Sequence, residues 1–315
     1  MRIGFLMQRY APGARSHLPA AARLLADRGV TVEPLYLAER LIDIGELRVE
    51  HDLYVLKDKS PLAMSVAAAL HAAGAAIANP YPASAMLRDK IVAFHVLRAA
   101  GVPTPQTFVA TRLEQLRPAL EAGPLVVKPY RGSRGVGVRI VRDAAELAAL
   151  PPTDDPVFAQ RYHAPAGRDR KVYAIGDELH GVMRVWPPRT LEDKLGEPFE
   201  PSREEAEIAR RCGAAFGIDL FGVDIVESDG TPYVVDMSSL PGFKGVPDAV
   251  RRLAEYLYAA AERATHGEPL VPAGVPDWAA KGSALDLVLQ ALFTKPATPA
   301  ELEQIRRLLE ETPGR

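Results

Sequence analysis

The strongest constraint on this chain is a hairpin signal in its second half, where two apolar stretches are joined by Asp229-Gly230. An Asp-Gly pair between strand-forming runs favours a tight β-hairpin. Each run carries one carboxylate toward its far end, Asp224 and Asp236. With a loop of residues 228–230, Asp224 lies opposite Val234, and Asp236 is its diagonal neighbour at about 7–8 Å. Carboxylates this close repel each other unless a cation lies between them. Mg²⁺ prefers oxygen ligands; it normally binds one or two carboxylates and completes its shell with phosphate and water. The hairpin therefore predicts an enzyme that uses a nucleoside triphosphate.

Composition and charge exclude several classes of protein. Of the 315 residues, 48% are hydrophobic and 25% are charged, as in ordinary globular proteins of one large or two to three small domains. A net charge of −2 offers no broad basic surface, so we expect no nucleic acid partner. No stretch approaches the ~18 apolar residues of a membrane span, so we expect no membrane partner. The single cysteine, Cys212, excludes an intrachain disulfide framework, favours a cytoplasmic location and is predicted to fill a helix core.

The order of strand and helix patterns predicts the organisation of the chain. Strands and helices alternate up to residue 78, which indicates a small parallel α/β unit. Beyond it, we predict a helix at 84–100, a β-rich region at 107–185, a helix with the hairpin at 202–258, and tail helices at 284–293 and 299–310. The residues from Ser202 to Glu205 form a capping box at a helix start. The tail helices are expected to dock on their own domain or on another subunit, which leaves a homo-oligomer open.

A glycine-rich turn links two strand-type runs between residues 125 and 138. Its glycines are Gly132, Gly135 and Gly137. They allow close backbone approach, and successive N–H groups there can form an anion-binding nest. The spacing differs from a Walker A loop and from a dinucleotide fingerprint. Lys128 lies in the apolar strand just before the turn, where an ammonium group is costly to bury unless it meets an anion. This position favours phosphate binding over a purely structural hairpin.

Several motifs follow one another in an order that resembles the ATP-grasp superfamily. The resemblance is greatest to the branch of ribosomal-protein glutamate ligases, lysine-biosynthesis ligases and glutathione synthetases. It covers about residues 1–260 and rests on Lys90 and on residues 101–105, 127–129, 160–162, 169–173, 183–184, 222–224, 235–236 and 241–242.

The resemblance implies a mixed α/β and α+β protein with the ATP-grasp fold. Four parts are expected: an N-terminal parallel α/β domain over 1–80, a lid and nucleotide subdomain with the glycine-rich loop over 81–185, a C-terminal metal-hairpin subdomain over 186–265, and a linker with helices over 266–315. ATP would lie between the sheets of the two central parts, together with Mg²⁺ or with Mn²⁺ in its place.

The resemblance also implies roles for individual residues. The implied nucleotide-binding residues are Lys90, Lys128, Arg131, Ser133, Gly135, Gln160, Arg161, Tyr162, His163 and Asp169. The two lysines would hold the α- and β-phosphates, the glycine-rich loop would cover the β- and γ-phosphates, and residues 160–163 would offer backbone groups to adenine. Lys171 and Arg184 are implied as catalytic residues near the acceptor. Asp224, Asp236 and Ser238 are implied as metal ligands.

Departures from the branch leave the reaction open. Ser238 stands where the family has an asparagine ligand, and Arg161 stands where the hinge has glutamate. The stretches 171–177, 220–224 and 55–59 resemble the inositol-polyphosphate kinases of the same superfamily. In that alternative Lys57 and Lys59 would face an anionic substrate with Lys171 and Arg184; otherwise they belong to a solvated loop. We therefore expect a ligase that joins a small-molecule carboxylate to an amine through an acyl phosphate. A small-molecule kinase acting on a polyol or polyphosphate is the alternative, and a non-catalytic nucleotide-binding protein is the third reading.

Overall fold

The computed structural model describes residues 1–10, 16–132, 135–185 and 195–271. Its framework is three β-sheets with helices packed against them. The tail helices predicted at 284–293 and 299–310 lie outside the described residues. Within the described ranges, no helix is long and apolar enough to cross a membrane.

The first sheet is the parallel α/β unit that the alternating pattern predicts. Its strands are β1 (Arg2–Leu6), β2 (Thr31–Leu35), β3 (Leu53–Leu56) and β4 (Ile77–Ala78), in the order β2-β1-β3-β4. Two helices connect them, α1 (Leu18–Asp27) and α2 (Pro61–Ala72). The hydroxyl of Ser60 caps α2 by accepting from the N–H of Ala63 at 3.3 Å. Two single turns of 3₁₀ helix, Leu37–Glu39 and Ile44–Glu46, lie between β2 and β3.

The single helix predicted at 84–100 is wrong, because two helices meet at Asp89. They are α3 (Tyr81–Arg88) and α4 (Lys90–Ala99). Asp89 is extended, with φ −99° and ψ 108°, and its carboxylate accepts from the N–H groups of Ile91 and Val92. The N–H of Lys90 donates to the carbonyl of Tyr130 at 2.9 Å instead of continuing the first helix. The break therefore places Lys90 at a helix start next to the glycine-rich turn.

The second sheet is antiparallel and contains the strand that carries Lys128. Its strands are β5 (Thr107–Ala110), β6 (Leu125–Pro129), β7 (Arg139–Val141) and β8 (Val157–Arg161), in the order β5-β8-β6-β7. A 3₁₀ turn and two short helices cover it, Leu113–Leu116, α5 (Arg117–Glu121) and α6 (Ala144–Ala148). Lys128 lies opposite Phe158 of β8, near the end of its strand.

The third sheet contains the hairpin and has five strands. They are β9 (Asp169–Ile175), β10 (Glu178–Arg184), β11 (Glu197–Phe199), β12 (Leu220–Ser228) and β13 (Thr231–Ser239), in the order β11-β10-β9-β12-β13. Two helices accompany the sheet, α7 (Arg203–Phe216) and α8 (Ala249–Thr265). The capping box of Ser202 and Glu205 is present at the start of α7. One apolar core joins α8, the first sheet and this sheet, so the ends of β3 and β13 are held close together.

The buried position of Cys212 on α7 agrees with its expected role as a core residue. Burial raises the pKa of its thiol to about 12. Because the thiolate is the reactive form, we expect a maleimide to leave native Cys212 unmodified at pH 8 and to label it fully in urea. Intact-mass measurement distinguishes the two. Labelling of the native protein at the rate of the unfolded chain would contradict this placement.

Candidate active site

The register of the hairpin differs from the predicted one and brings Asp224 and Asp236 directly opposite each other. The loop has two residues, Asp229 and Gly230, with φ of 50° and 73°, so Ser228 pairs with Thr231. The register then shifts between Asp224 and Ile225, which leaves the extra residue Val235 on β13. Directly opposed residues have Cβ atoms about 4.5–5.5 Å apart, closer than the predicted diagonal.

Cationic side chains accompany both carboxylates. The ammonium of Lys171 donates to Asp224 Oδ2 at 2.8 Å, and Arg184 Nη2 donates to Asp224 Oδ1 at 2.5 Å. The ammonium of Lys90 donates to Asp236 Oδ1 at 2.7 Å. Burial alone raises the pKa of Asp224, but Lys171 and Arg184 outweigh burial and the net pKa is lowered. The carboxylate of Asp224 is therefore ionised at neutral pH and is held by two cations, whereas Asp236 is held by Lys90.

Lys128 reaches the same place from the second sheet. Its ammonium donates to Gln160 Oε1 at 2.8 Å and to the carbonyl of Val235 at 3.0 Å, so the extra residue of the hairpin supplies one of its acceptors. Gln160 is buried and donates in turn to Thr107 Oγ1 at 3.2 Å. Burial lowers the pKa of Lys128 to about 8, and the nearby Asp236 opposes this effect. An anion placed here would meet an ammonium group that only neutral oxygens contact.

The side chain of Arg161, on the strand expected to be the hinge, is held by neighbouring backbone. The guanidinium of Arg161 donates to three backbone carbonyls, those of Ala119, Gly123 and Pro124. It fastens α5 to β8, so its side chain does not take part in the site. The N–H groups of Arg161 and Tyr162 donate to the carbonyls of Gln106 and Pro124, respectively.

His163 follows the hinge strand, and its ring stacks on that of Tyr233 with centroids 3.9 Å apart. An adenine contact by residues 160–163 stays a prediction.

The described part of the glycine-rich loop lies beside the start of α4. Arg131 is 3.8 Å from Asp89 and lies over the ring of Tyr130. Gly135 and Gly137 have φ of 71° and 77°, and a Cβ on Gly137 would lie 2.7 Å from the ring of Pro129. Glycine is therefore required at position 137 for the turn to close. Ser133 lies outside the described residues.

Asp169 lies at the far side of the carboxylate pair, opposite Arg184 in the register of β9 and β10. Burial, with a contribution from Asp224, raises the pKa of its carboxyl to about 6. Ser238 pairs with Gly222 and shares the face of β13 that carries Asp236. Its hydroxyl donates weakly to the carbonyl of Gly222 at 3.5 Å. Ser238 therefore lies on the side of the hairpin that carries Asp236, and among the described residues its hydroxyl has only this weak hydrogen bond.

The family of this chain follows from residues 87–256, which match the model of the RimK-like ATP-grasp domain. The chain belongs to the RimK-like ATP-grasp family. This confirms the resemblance and the expected ligase family, and ATP-grasp ligases use ATP and Mg²⁺.

Curated relatives of the family are similar over most of the chain. A probable alpha-L-glutamate ligase 2 of Shewanella amazonensis is 29% identical over 214 residues, which cover 61% of this chain and 71% of the relative. A probable alpha-L-glutamate ligase of Rhodopirellula baltica is 26% identical over 253 residues, which cover 71% of this chain and 62% of the relative. The chain thus spans roughly six to seven tenths of these relatives.

Solved structures show the same fold. A RimK domain ATP-grasp protein of Sphaerobacter thermophilus aligns with TM-score 0.67 and 20% identity, over 81% of this chain and 98% of that chain. The D-alanine–D-alanine ligase of Bacillus anthracis aligns with TM-score 0.66 and 21% identity, over 85% and 100%. The predicted fold class is therefore confirmed as an ATP-grasp fold of mixed parallel and antiparallel sheets.

The residues of this RimK-like chain fit the ATP and Mg²⁺ that the family uses. Among the described residues no group of three His, Cys, Asp or Glu side chains could hold a metal, so phosphate oxygens and water would complete a shell begun by Asp224 and Asp236. Four cations surround these two carboxylates, Lys90, Lys128, Lys171 and Arg184. The Nε atom of Arg184 is also buried and has no partner in the described ranges. A surplus of cations with unused donors suits a polyphosphate.

Sequence reasoning missed a polar cluster at the end of β13. The amide nitrogen of Asn79 donates to the carbonyl of Leu220 at 2.7 Å and to Ser239 Oγ at 3.0 Å. The hydroxyls of Ser84 and Ser239 are 2.9 Å apart. All three side chains are buried, and they attach the end of β13 to the first sheet and to α3. No local pattern marks Asn79 or Ser84, because their partners are more than 100 residues away in sequence.

Proposed function

We propose that this chain is an ATP- and Mg²⁺-dependent carboxylate–amine ligase. The observation that carries the proposal is the directly opposed pair of Asp224 and Asp236, surrounded by four cations from the four elements α4, β6, β9 and β10. The proposed reaction transfers the γ-phosphoryl group of ATP to an acceptor carboxylate, and an amine then displaces phosphate to form an amide or peptide bond. No covalent enzyme intermediate is needed, since positioning and charge neutralisation supply the catalysis.

Each side chain has a role that follows from its place. Lys90 and Lys128 enter from α4 and β6, on the side of the glycine-rich turn, and would hold the α- and β-phosphates. Asp224 and Asp236 would hold Mg²⁺, which neutralises phosphate charge and orients the transferred group. Lys171 and Arg184 lie on the opposite side of Asp224, where they would stabilise negative charge on the acceptor.

The relatives support the ligase chemistry over the kinase alternative. The two curated relatives are named probable alpha-L-glutamate ligases, and two solved structures of the ATP-grasp ligase PsnB are complexes, one with a minimal precursor, Mg and ADP and one with a precursor peptide and AMPPNP. Glutamate is therefore the first amine to test, and both small carboxylates and peptides are candidate acceptors. The free, buried thiol of Cys212 supports the cytoplasm as the compartment in which this ligase works.

The experiment is a screen for ADP release that depends on both an amine and a carboxylate. Mass spectrometry of the product then decides the reaction class, because condensation loses water whereas phosphorylation of a hydroxyl adds a phosphoryl group. We expect a condensation product with ADP and phosphate in equal amounts. A stable phosphorylated product would establish the kinase alternative. ATP binding without turnover across the screen would favour a non-catalytic nucleotide-binding protein.

Ser238 offers a specific test of the metal assignment. Asparagine at this position would present a carbonyl oxygen, which hard divalent cations prefer to a hydroxyl. Ser238→Asn is expected to lower the Mg²⁺ concentration that gives half-maximal activity at saturating ATP, because the side chain lies on the face of Asp236. Ser238→Ala is the matched control, and it should leave that concentration unchanged or raise it. An unchanged or higher requirement in the asparagine variant would place Ser238 outside the metal shell.

A further inference from the structure

An open parallel α/β sheet forms a crevice at the carboxyl ends of its strands, at the point where the strand order reverses. In the order β2-β1-β3-β4 the chain passes from one side of β1 to the other, so the topological switch lies between β1 and β3. Ligands of open parallel α/β sheets bind at such a point. The residues that leave β3 there are Lys57, Asp58 and Lys59, and the N–H groups of Lys57 and Asp58 both donate to the carbonyl of Leu6.

Both lysines are held by neutral oxygens alone. The ammonium of Lys57 donates to the carbonyls of Leu240 and Pro241 at 2.8 and 2.9 Å. The ammonium of Lys59 donates to the carbonyl of Leu56 at 3.2 Å and lies 3.5 Å from Ser239 Oγ. Neither lysine forms a salt bridge within the described ranges, although both ammonium groups are largely buried.

Asp58, the acidic residue between these two lysines, forms its hydrogen bonds with other side chains and with backbone. Asp58 accepts from the side-chain amide of Gln8 at 3.0 Å and from the N–H and hydroxyl of Ser60 at 2.8 and 3.0 Å. Burial lowers the pKa of Lys57 to about 8 and that of Lys59 to about 7, with further lowering by nearby cations, and Asp58 opposes this lowering for Lys59. Two ammonium groups without a salt bridge are costly to bury, and an anion reduces that cost.

Two further cations, Lys244 and Arg88, lie near these lysines. Lys244 lies close enough to lower the pKa of Lys57, and Arg88 does the same for Lys59. The start of α1 borders a small cleft together with Lys57 and residues 240–243. His17 lies at this cleft, and burial together with the charge of Lys244 lowers its pKa. The chain has nine lysines against 29 arginines, and all six lysines in the described ranges lie either in this crevice or around the carboxylate pair. The lysine ammonium groups, which are flexible point charges, are thus concentrated at the two candidate binding sites.

The segment that closes the crevice has the backbone of a binding loop. Leu240 and Phe243 adopt φ of 44° and 49°, a strained conformation for non-glycine residues that clusters at ligand sites. The segment also connects the crevice to the carboxylate pair. A Cβ on Gly222 would lie 3.0 Å from Lys171 Cε and 3.2 Å from Pro241 Cγ, so these two side chains converge over Gly222.

We propose that this crevice, formed by Lys57, Lys59 and residues 240–244, binds an oxyanion of a co-substrate that is not the reacting group. The inference rests on the proposed ligase function and extends it to the substrate class, since one of the two substrates would carry a second carboxylate or a phosphate. Lys57 would then orient that group through the ammonium hydrogen that the two loop carbonyls leave free, while the reacting carboxylate lies toward Lys171 and Arg184.

Calorimetric titration with two probes, glutarate and inorganic phosphate, tests the site at low ionic strength. Saturable binding of either probe to the wild type is expected, and the tighter probe identifies a carboxylate or a phosphate. Lys57→Met and Lys59→Met should each weaken that binding by at least about tenfold, the effect of losing a charge-assisted hydrogen bond. Lys59→Arg, which keeps the charge, should retain more binding than Lys59→Met.

Two further variants locate the binding. Lys128→Met alters the proposed ATP site alone and should leave probe affinity within about twofold. Arg23→Met removes an exposed charge from α1 and should do the same, which controls for general attraction. Absence of saturable binding of both probes to the wild type would overturn the proposal, even where the methionine variants fail to fold. Unchanged binding in both folded lysine variants would overturn it as well.

The wild type and Lys59→Met also distinguish a failure of this proposal from a failure of the proposed ligase function. A non-hydrolysable ATP analogue should bind Lys59→Met as tightly as it binds the wild type, because Lys59 contacts the first sheet and Ser239 only. If the analogue fails to bind the wild type, the proposed function fails while the probe titration still decides the crevice. If the analogue binds but neither probe does, the crevice proposal alone fails.

Discussion

Replacing Asp236 or Asp224 with asparagine is expected to lower Mg²⁺-dependent ATP turnover by at least about tenfold, the scale of losing a charged metal ligand. Each carboxylate lies directly opposite the other across the hairpin, so each variant leaves a single charged ligand. Turnover is measured across a Mg²⁺ titration at saturating ATP. Asp143→Asn is the matched control, because Asp143 caps α6 and asparagine caps equally well.

The two variants should differ in the stability of the free protein. Asp224 is bonded to both Lys171 and Arg184, whereas Asp236 is more exposed and bonded to Lys90. Asp224→Asn leaves two cations without a counter-charge, so urea unfolding at pH 7 should show the larger loss for this variant. Since the pKa of Asp224 is lowered in the folded state, its contribution is present at neutral pH and is lost as the pH falls through that folded pKa. Unchanged stability together with an unchanged Mg²⁺ requirement in both variants would remove these residues from the site.

Local patterns were enough to predict much of this fold. The alternating strands and helices of the first sheet, the hairpin turn at Asp229-Gly230 and the capping box at Ser202 depend on residues that are neighbours in sequence. The position of Lys128 in an apolar strand was also sufficient to predict an ammonium that is buried and needs a partner. Each of these features depends on a local energetic preference that tertiary contacts do not override.

The errors arose where tertiary contacts override local preference. The hairpin register shifts at Val235, whose carbonyl accepts from Lys128 of another sheet. The predicted single helix breaks at Asp89, because the N–H of the next residue donates to the carbonyl of Tyr130. The side chain of Arg161 is likewise held by three backbone carbonyls around α5, a role that its local sequence does not indicate. None of these partners is near in sequence, so no local pattern could reveal them.

Lys57 is a further residue whose environment is determined by tertiary packing and not by its local sequence. A charged stretch between a strand and a helix favours a solvated loop, yet its ammonium is bonded to carbonyls 183 and 184 residues away. The sequence therefore indicated which residues carry charge, and the packing of the first sheet against the end of β13 determined which of those charges are buried. Functional interpretation of such lysines depends on that packing.

Replacing Lys128 with methionine is expected to weaken ATP binding about 10- to 100-fold, the range for losing one charge-assisted hydrogen bond from a buried site. Methionine fills the space of the lysine stem without its charge, so the fold should be kept. Calorimetry with a non-hydrolysable ATP analogue and Mg²⁺ measures the effect. Leu125→Met, on the same strand but facing the core away from the site, is the control and should bind the analogue normally.

The same variant should change how stability depends on pH. The folded pKa of Lys128 is about 8 against 10.5 for an ordinary lysine, so between these values the unfolded wild type binds a proton that the folded protein lacks. The free energy of unfolding of the wild type should therefore rise with pH over this window relative to Lys128→Met. Below pH 8 the buried charge penalises the wild type, and the acceptors that methionine leaves unpaired, Gln160 Oε1 and the carbonyl of Val235, offset part of the variant's gain. Parallel pH profiles would show that Lys128 is not a desolvated cation, and wild-type affinity for the analogue in the folded variant would exclude it from the phosphate site.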